Sequence, residues 1–375
     1  MNARAVCAID LDALAGNLSA LRRALAPGVR VCAVVKANAY GHGAAACAQT
    51  LAAGGVEMLA TASPDEARVV RAAGVTVPIL VLGGIDSRRD AVEDAWRLGL
   101  VPSLLDAEAA RALAAVVPAG RRLRVHLKLD TGMNRAGLTP AAALDLVPLL
   151  RDGPFEVDGL YSHLACADEP SHPASRQQLE AFAAASADLE AAGLRPKIRH
   201  LANSAGALGD PALHLDMVRP GLALYGHRPN PALGPTVALR PVMEFASWIA
   251  SIRPVPTGTG IGYGWTWQAK RPSLIATIRV GYAQGYPRAL SNRGWVSLRG
   301  QRAPVVGTVS MEHLSIDVTD LPEARAGDRV LLWGAGPEAP DVMALGCAAG
   351  TIGYELLTGV ATSVPGREDD SDEPA

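Results

Sequence analysis

Eight short apolar runs recur along the first 225 residues of the 375-residue chain, each separated from the next by an alanine-rich stretch with helical spacing. The runs occupy residues 31–36, 58–63, 78–83, 100–104, 123–129, 156–164, 198–203 and 217–225. Strands that alternate with helices are typical of parallel βαβ units, and eight such units predict an N-terminal (β/α)8 barrel of the TIM type. An open doubly wound sheet shows the same alternation, and periodicity alone does not separate the two architectures.

The pattern changes after about residue 230. The segment 228–235 is rich in proline and glycine, as linkers are. Beyond it, short apolar runs lie between Pro/Gly-rich loops, at residues 273–280, 296–298, 305–309 and 329–332. The sequence therefore predicts four parts: a segment 1–11 that packs with the C-terminal domain, a barrel over 12–230, a mainly β domain over 231–366, and a disordered acidic tail over 367–375.

Composition narrows the classes of function. Thirty-five Lys and Arg residues against 37 Asp and Glu give a net charge of −2, which disfavours a broad basic surface for nucleic acid or an anionic membrane. The five cysteines form no Cys-x-x-Cys pair, which disfavours a disulfide framework or a structural zinc site. No stretch reaches about 18 apolar residues, and the N-terminus lacks a signal-peptide pattern. We therefore expect a cytoplasmic protein without a metal site, whose partner is a small molecule.

Polar side chains cluster at the ends of the apolar runs. In a barrel, the working residues lie just after the strands, at one face. The residues at those places are Lys36, Tyr40, Lys128, Asp130, Arg135, His163, Asn203, Ser204, Arg219, Gly221 and Tyr225. A lone histidine, or a serine that opens a helix, is more often structural than catalytic. The shared position of the whole set at strand ends is what indicates a site.

The kind of chemistry follows from four of these residues. Lys36 stands at the mouth of a buried strand, where lost hydration lowers the pKa of an amine and lets it form a Schiff base or take a proton. Ser204 and Gly221 match the place where such barrels commonly bind a phosphate. A phosphate-bearing cofactor facing a reactive lysine suggests pyridoxal phosphate. Arg219 keeps its proton near neutral pH, so it would leave the cofactor's ring nitrogen unprotonated and favour brief proton removal and return.

The segment 33–43, AVVKANAYGHG, resembles the pyridoxal-phosphate attachment motif of alanine racemases. The resemblance continues in order along nearly the whole chain, in segments 127–135, 161–163, 203–204, 219–221, 262–264, 280–282, 310–312 and 353–355. It implies a (β/α)8 barrel followed by a β domain, in a homodimer with shared active sites. It also implies the interconversion of L-alanine and D-alanine, which supplies D-alanine for peptidoglycan.

The resemblance assigns roles in cofactor binding and proton transfer. Lys36 would hold pyridoxal 5′-phosphate and act as base on one face of the substrate, and Tyr263 of the partner subunit would act on the opposite face. Inversion at Cα needs a proton taken from one side and returned to the other. Because the unperturbed pKa of tyrosine is about 10, Tyr263 would need nearby positive charge, supplied by Arg219 through His163. The residues implied to contact the cofactor are Lys36, Tyr40, Leu82, His163, Asn203, Ser204, Arg219, Gly221, Leu222 and Tyr354.

Other matched positions concern the substrate. Arg135 and the backbone near Met311 would meet its carboxylate. Lys128 would carry a carbamate that orients Arg135, and an ordinary lysine paired with an acid is the alternative. Tyr282 and Tyr354 would narrow the entrance, which favours a small side chain.

Four positions depart from the family pattern: Gln284 and Glu312 replace aspartate, Thr308 replaces arginine, and Asn134 replaces a glycine. A racemase of serine or of a broader range of amino acids is therefore the main alternative. A fold-related decarboxylase would place an acid beside a C-terminal cysteine, which Cys347 lacks. A cofactor-binding protein without activity would consist of the barrel alone.

Overall fold

The computed structural model describes residues 5–360. The chain divides into two compact units. Of the described residues, the barrel unit comprises Leu14–Ala39 and Ala44–Leu239, and the β unit comprises 5–13, Tyr40–Gly43 and 240–360. The predicted tail, 367–375, lies outside the described residues.

Eight parallel strands form the barrel unit. Numbered after β1 (Ala5–Ile9) of the β unit, they are β2 (Arg30–Val34), β3 (Met58–Thr61), β4 (Ile79–Val81), β5 (Leu100–Leu104), β6 (Leu123–Lys128), β7 (Phe155–Tyr161), β8 (Ile198–His200) and β9 (Met217–Val218). Their order is β8-β7-β6-β5-β4-β3-β2-β9. Every residue of β3, β4 and β5 is buried. Parallel strands covered on both faces read as continuous apolar runs, which is why the sequence revealed them.

Backbone hydrogen bonds close the ring between β8 and β9. The Asp216 N–H donates to the Arg199 carbonyl at 3.0 Å, and the Arg219 N–H donates to the Ala202 carbonyl at 2.8 Å. The two ends of the sheet therefore meet, and the prediction of a barrel, as opposed to an open sheet, is confirmed.

Helices connect the barrel strands. Their bounds are Leu11–Ala24, Ala44–Ala53, Pro64–Ala72, Arg89–Arg97, Ala107–Val116, Pro140–Asp145, Val147–Asp152, Ala174–Ala191 and Ser204–Gly209, with a 3-10 helix at Pro211–Leu213. Ser63 caps the helix Pro64–Ala72: its hydroxyl oxygen accepts from the Glu66 N–H at 3.4 Å, and Pro64 occupies the first turn. Proline suits that position because its missing N–H would have no helical partner there.

The β unit is built on an antiparallel sheet. Its strands after β1 are β10 (Met243–Val255), β11 (Gly260–Ile261), β12 (Trp267–Gln268), β13 (Ser273–Ile278), β14 (Trp295–Leu298), β15 (Gln301–Pro304), β16 (Leu314–Asp317) and β17 (Arg329–Trp333). The main sheet runs β15-β14-β17-β10-β13-β16 with β1 paired to β10, and β11 pairs with β12 separately. Three 3-10 helices lie at Tyr263–Trp265, Tyr282–Gln284 and Arg288–Leu290. The prediction of a mainly β second part is confirmed.

Two features of the β unit differ from the sequence prediction. The run 305–309 is not a strand: Val305 forms only an isolated bridge with Ile316, and Gly307 has a φ of 76°, which strand backbone does not adopt. Two helices, Val342–Ala349 and Gly353–Val360, close the described chain and were not predicted. In residues 5–360 no single helix is long and apolar enough to span a membrane, although these two, bent by 105°, pass that test as a pair.

Candidate active site

The backbone that follows Lys36, close to the end of β2, forms a left-handed turn. Ala37, Asn38, Ala39 and Tyr40 all have φ between 51° and 55°, in the left-handed helical region. Such backbone costs roughly 1–2 kcal/mol for each residue with a Cβ. Four successive residues of this kind need contacts from the surrounding structure to hold them.

Hydrogen bonds within the barrel unit hold part of this turn. The Ala39 N–H donates to the Val35 carbonyl at 2.9 Å, and the Asn38 side-chain oxygen accepts from the Ala44 N–H at 2.8 Å. Asparagine tolerates left-handed backbone because its short polar side chain bonds locally. The turn therefore has a defined shape, and Lys36 stands at its first residue.

Two lysines of the barrel unit, Lys36 and Lys128, are influenced by neighbouring arginines. Burial and the Arg135 guanidinium lower the pKa of Lys36, while the Glu66 carboxylate opposes them. Burial, Arg135 and Arg219 lower the pKa of Lys128, whose side chain is only 8% exposed. Both amines therefore have a larger neutral fraction than an exposed lysine, and the neutral amine is the form that reacts with carbonyl compounds.

A carboxylate shapes the loop that carries Arg135. Asp130 accepts backbone hydrogen bonds from Gly132 at 2.9 Å, Asn134 at 3.0 Å and Arg135 at 3.2 Å. Partial burial raises the pKa of Asp130, but these bonds outweigh it and lower the pKa overall. Asn134 has a φ of 54°, in the left-handed region that favours glycine. Asparagine tolerates this backbone, so it can stand where the family pattern has glycine.

Arg219 is buried among acceptors at the end of β9. Its Nη1 donates to His200 Nδ1 at 2.8 Å, and its Nη2 donates to the carbonyls of Ser162 at 2.7 Å and Leu201 at 3.1 Å. Its Nη2 also lies 3.4 Å from His163 Nδ1. Within the described residues nothing accepts a hydrogen bond from its Nε–H, so one donor of a buried guanidinium remains for a bound acceptor.

The hydrogen-bond chain beyond Arg219 defines two histidine tautomers. Because arginine only donates, His200 Nδ1 is an acceptor, and its proton resides on Nε2. His200 Nε2 therefore donates to His126 Nδ1 at 2.9 Å, which leaves the His126 proton on Nε2, 4.0 Å from Asp158. Burial, followed by Arg219, lowers the pKa of His200 well below its usual value. Both imidazoles are neutral, and the hydrogen-bond chain from Arg219 ends at His126, whose Nε2 has no hydrogen-bond partner among the described residues.

His163 is a neutral neighbour of Arg219. Burial and then Arg219 lower its pKa to about 3. With Nδ1 turned toward the guanidinium, the ring carries its proton on Nε2. His163 can therefore donate a hydrogen bond on the side away from Arg219 while remaining uncharged.

Ser204 and Gly221 lie within hydrogen-bond distance of each other. The Ser204 hydroxyl oxygen accepts from the N–H groups of Gly221 at 2.9 Å and Ala223 at 3.1 Å. An oxygen that accepts twice still has its own proton to donate, so this hydroxyl can face an anion. Asn203 caps the helix that Ser204 begins, with its side-chain oxygen accepting from the Gly206 N–H at 3.0 Å. Two apolar positions of the predicted site also lie in the barrel unit: Leu222 is buried beside Gly221, and Leu82 directly follows β4.

The remaining predicted residues belong to the β unit. The rings of Tyr40 and Tyr354 lie 5.9 Å apart. The Tyr282 loop and the Met311 loop are joined, because the Ala283 N–H donates to the Met311 carbonyl at 2.9 Å. Among these predicted residues of the β unit, Tyr263 is the most exposed, at 75%.

Two of the departures from the family pattern make hydrogen bonds in the β unit. The Thr308 hydroxyl donates to the Tyr263 carbonyl at 2.9 Å, so the residue in the place of arginine anchors the tyrosine's backbone. The Gln284 side-chain oxygen accepts from the Gly281 N–H at 3.0 Å. An aspartate at this position would have a shorter side chain with which to make the contact.

Sequence reasoning missed Glu66, His126 and His200. The two histidines lie inside β6 and β8, so a polar residue within an otherwise apolar run was the available signal. Glu66 lies in the first turn of a helix, where acidic residues are common for reasons of capping alone.

The fold and the site define a class: barrel enzymes with an added β unit and a lysine of lowered pKa at the end of the first barrel strand. Two family models match, "Alanine racemase, N-terminal domain" over residues 9–229 and "Alanine racemase, C-terminal domain" over residues 242–367. The chain belongs to the alanine racemase family. The resemblance and the enzyme class predicted from the motifs, an amino-acid racemase, are confirmed.

Individual relatives match along their whole length. Alanine racemase of Symbiobacterium thermophilum is 44% identical over 363 residues, with 95% of each chain covered. The crystal structure of the biosynthetic alanine racemase of Pseudomonas aeruginosa has a TM-score of 0.88 at 41% identity, covering 97% of this chain and 99% of that one. Alanine racemase of Bartonella henselae, solved with covalently bound pyridoxal phosphate, has a TM-score of 0.86 at 32% identity, covering 96% and 97%. The last structure supports pyridoxal phosphate as the family's cofactor.

Proposed function

We propose that this protein interconverts L-alanine and D-alanine by a two-base mechanism that uses pyridoxal 5′-phosphate held on Lys36. The observation that carries the proposal is the shared position of Lys36 and Arg219 at the carboxyl ends of β2 and β9, which are neighbours in the barrel. Burial lowers the pKa of Lys36, and Arg219 keeps its Nε–H for a bound acceptor.

The barrel residues fit this cofactor. Ser204 offers its hydroxyl proton to the phosphate, and Gly221, whose N–H donates to the Ser204 oxygen and orients that hydroxyl, lies beside it. Arg219 donates to its ring nitrogen and cannot give that nitrogen a proton near neutral pH. When bound, pyridoxal phosphate stabilises negative charge at the substrate Cα. Tyr40, Leu82, His163, Asn203, Leu222 and Tyr354 are the further residues proposed to contact it.

Proton transfer needs one base on each face of the substrate. Lys36 Nζ takes or returns the proton on one face. The phenol of Tyr263 of the partner subunit acts on the other, and its high exposure in one chain is compatible with a site completed by a second copy. The Nε2–H of neutral His163 is available to donate a hydrogen bond to that phenolate oxygen.

The substrate is bound through its carboxylate. Arg135 and the backbone of Met311 are the proposed donors, and a guanidinium suits a carboxylate through two parallel hydrogen bonds. Because its pKa is lowered, Lys128 has a larger neutral fraction able to form a carbamate. That change would turn a cation beside Arg135 into an anion that orients it. Tyr282 and Tyr354 narrow the entrance of the site, which favours a substrate with a methyl side chain.

The cellular role follows from the product. D-Alanine formed by this enzyme would serve as a precursor for peptidoglycan. We place the enzyme in the cytoplasm, since all five cysteines are free and a reducing compartment keeps them so.

The test is to supply pyridoxal phosphate with L-alanine, L-serine or L-lysine in separate reactions and to quantify each D-enantiomer by chiral chromatography. Strong conversion of alanine alone is expected. Lys36→Ala should abolish cofactor attachment. Tyr263→Phe should keep the cofactor and lose conversion in one direction more than in the other. Preferential conversion of serine or lysine would contradict the substrate assignment, and full activity in the tyrosine variant would contradict the two-base mechanism.

The shared site has a sharper test. Mixing the impaired Lys36→Ala and Tyr263→Phe proteins under conditions of subunit exchange creates hybrid dimers in which one site has both bases. About a quarter of the wild-type activity should return, because half of the dimers are hybrids and each has one intact site of two. No recovery, with hybrid formation shown by differently tagged subunits, would contradict a site built from both subunits.

A further inference from the structure

The Glu66 carboxylate joins the ends of two neighbouring barrel strands. Its Oε1 accepts from the Ala37 N–H at 2.8 Å, and its Oε2 accepts from the Ala62 N–H at 2.6 Å. Ala37 directly follows Lys36 after β2, and Ala62 directly follows β3, which pairs in parallel with β2. Each carboxylate oxygen therefore holds one strand end.

We propose that Glu66 is a positioning residue of the active site, whose carboxylate clamps the left-handed turn at Ala37 and thereby fixes where the Lys36 amine lies. The inference rests on the proposed function only in taking Lys36 as the residue that holds the cofactor. It assigns Glu66 no contact with substrate or cofactor.

The clamp requires a carboxylate. Ala37 and Ala62 both present N–H donors, so the side chain between them must accept twice, with one oxygen for each. A glutamine has a single acceptor oxygen, and its NH2 group would oppose the second N–H. Hydrogen bonds to an ionised acceptor are also stronger than those between neutral groups.

Glu66 is itself held firmly at its base. It lies in the first turn of the helix Pro64–Ala72, and its own N–H donates to the Ser63 hydroxyl at 3.4 Å. Its side chain reaches backward from the helix start to the Ala62 N–H, in a variant of the capping box. The contact with Ala37 thus ties a costly left-handed turn to a rigid helix.

Glu66 also influences the charge of Lys36. It raises the pKa of the amine, whereas burial and Arg135 lower it. The other ionisable groups that interact with Lys36 in the barrel unit are Lys128, a cation, and His163, which is neutral. Removing the carboxylate should therefore shift the pKa of Lys36 further down.

The test compares Glu66→Gln with Asp65→Asn in the full-length protein. Asp65 provides a matched control, since it is the preceding acid on the same helix but its side chain is 87% exposed and pairs with Arg68. The first readout is the affinity for pyridoxal phosphate, measured by the absorbance of the Schiff base. The second is the pH dependence of Lys36 reductive methylation in cofactor-free protein, followed by peptide mass spectrometry, which does not depend on catalysis.

Glu66→Gln should weaken cofactor attachment about tenfold, which corresponds to about 1.4 kcal/mol, and should move the methylation profile of Lys36 to lower pH. Asp65→Asn should do neither. Glu66→Asp separates the two effects, because it keeps the charge but is too short to make both contacts: we expect a profile close to wild type with weakened attachment.

The inference is wrong if Glu66→Gln matches Asp65→Asn in both readouts. Should Glu66→Gln lose its folded circular dichroism spectrum, Glu66→Asp decides the matter, and wild-type attachment in that variant would equally overturn the clamp. The proposed function fails separately: a wild-type protein that attaches the cofactor at Lys36 and responds to Glu66 as expected, yet converts no alanine, refutes the racemase and leaves the clamp standing.

Discussion

Buried neutral histidines should make the barrel unit sensitive to acid, and His126 allows this to be measured. Its side chain is 0% exposed, and burial is the main cause that lowers its pKa to about 3. In the unfolded chain the pKa returns to about 6.5. Between these values the unfolded chain binds a proton that the folded chain does not. The stabilisation is therefore fully present above pH 6.5 and is lost as the pH falls toward 3.

The size of the effect follows from the two pKa values. Lowering the pH from about 7.5 to about 5.5 should reduce the free energy of unfolding by about 1.4 kcal/mol for each such histidine. His126→Gln removes one of them. Its amide oxygen can still accept from His200, and any constant cost of the substitution cancels when only the difference between the two pH values is read.

The assay is urea unfolding of wild type and variant at both pH values, followed by circular dichroism. The pH-dependent loss should be smaller in His126→Gln by about 1.4 kcal/mol. Substitution of the exposed His172 by glutamine serves as the matched control. An equal pH-dependent loss in wild type and His126→Gln would refute the reasoning, since it would mean that folding does not depress the pKa of His126.

Three further predictions concern single contacts. Ser204→Ala should weaken pyridoxal phosphate binding about tenfold in equilibrium dialysis, because a hydrogen bond to a charged group is lost, and unchanged affinity would remove this hydroxyl from the phosphate site. Gly159→Ala should lower the free energy of unfolding by about 1–3 kcal/mol, because the added Cβ would lie 2.5 Å from the buried His126 ring; an undiminished urea midpoint would contradict this. Asp130→Asn should raise KM for alanine several-fold with little change in kcat, because three backbone donors of the Arg135 loop lose an ionised acceptor. A fall in kcat alone would contradict that reading.

The barrel, and the positions of most candidate site residues after its strands, were predictable from the residue pattern alone. Strands buried on both faces are largely apolar, so β3, β4 and β5 appear as apolar runs between helices, with Thr61 and Ser103 as the polar exceptions. Parallel strands all end at the same face, so polar residues that follow them, such as Lys36 and Arg219, could be assigned to one site before any distance was known. Patterns among neighbouring residues were therefore enough to predict the regular strands and the residues that follow them.

Contacts between distant segments of the chain could not be predicted in this way. His126 and His200 meet across 74 positions of sequence, and Glu66 reaches Ala37 across 29. Neither pair leaves a periodic signal, because each contact arises from how the helices and strands pack rather than from spacing along the chain. The left-handed turn after Lys36 could not be predicted from the sequence either. Alanine does not favour that backbone, so packing and hydrogen bonds from elsewhere in the fold must outweigh its intrinsic preference.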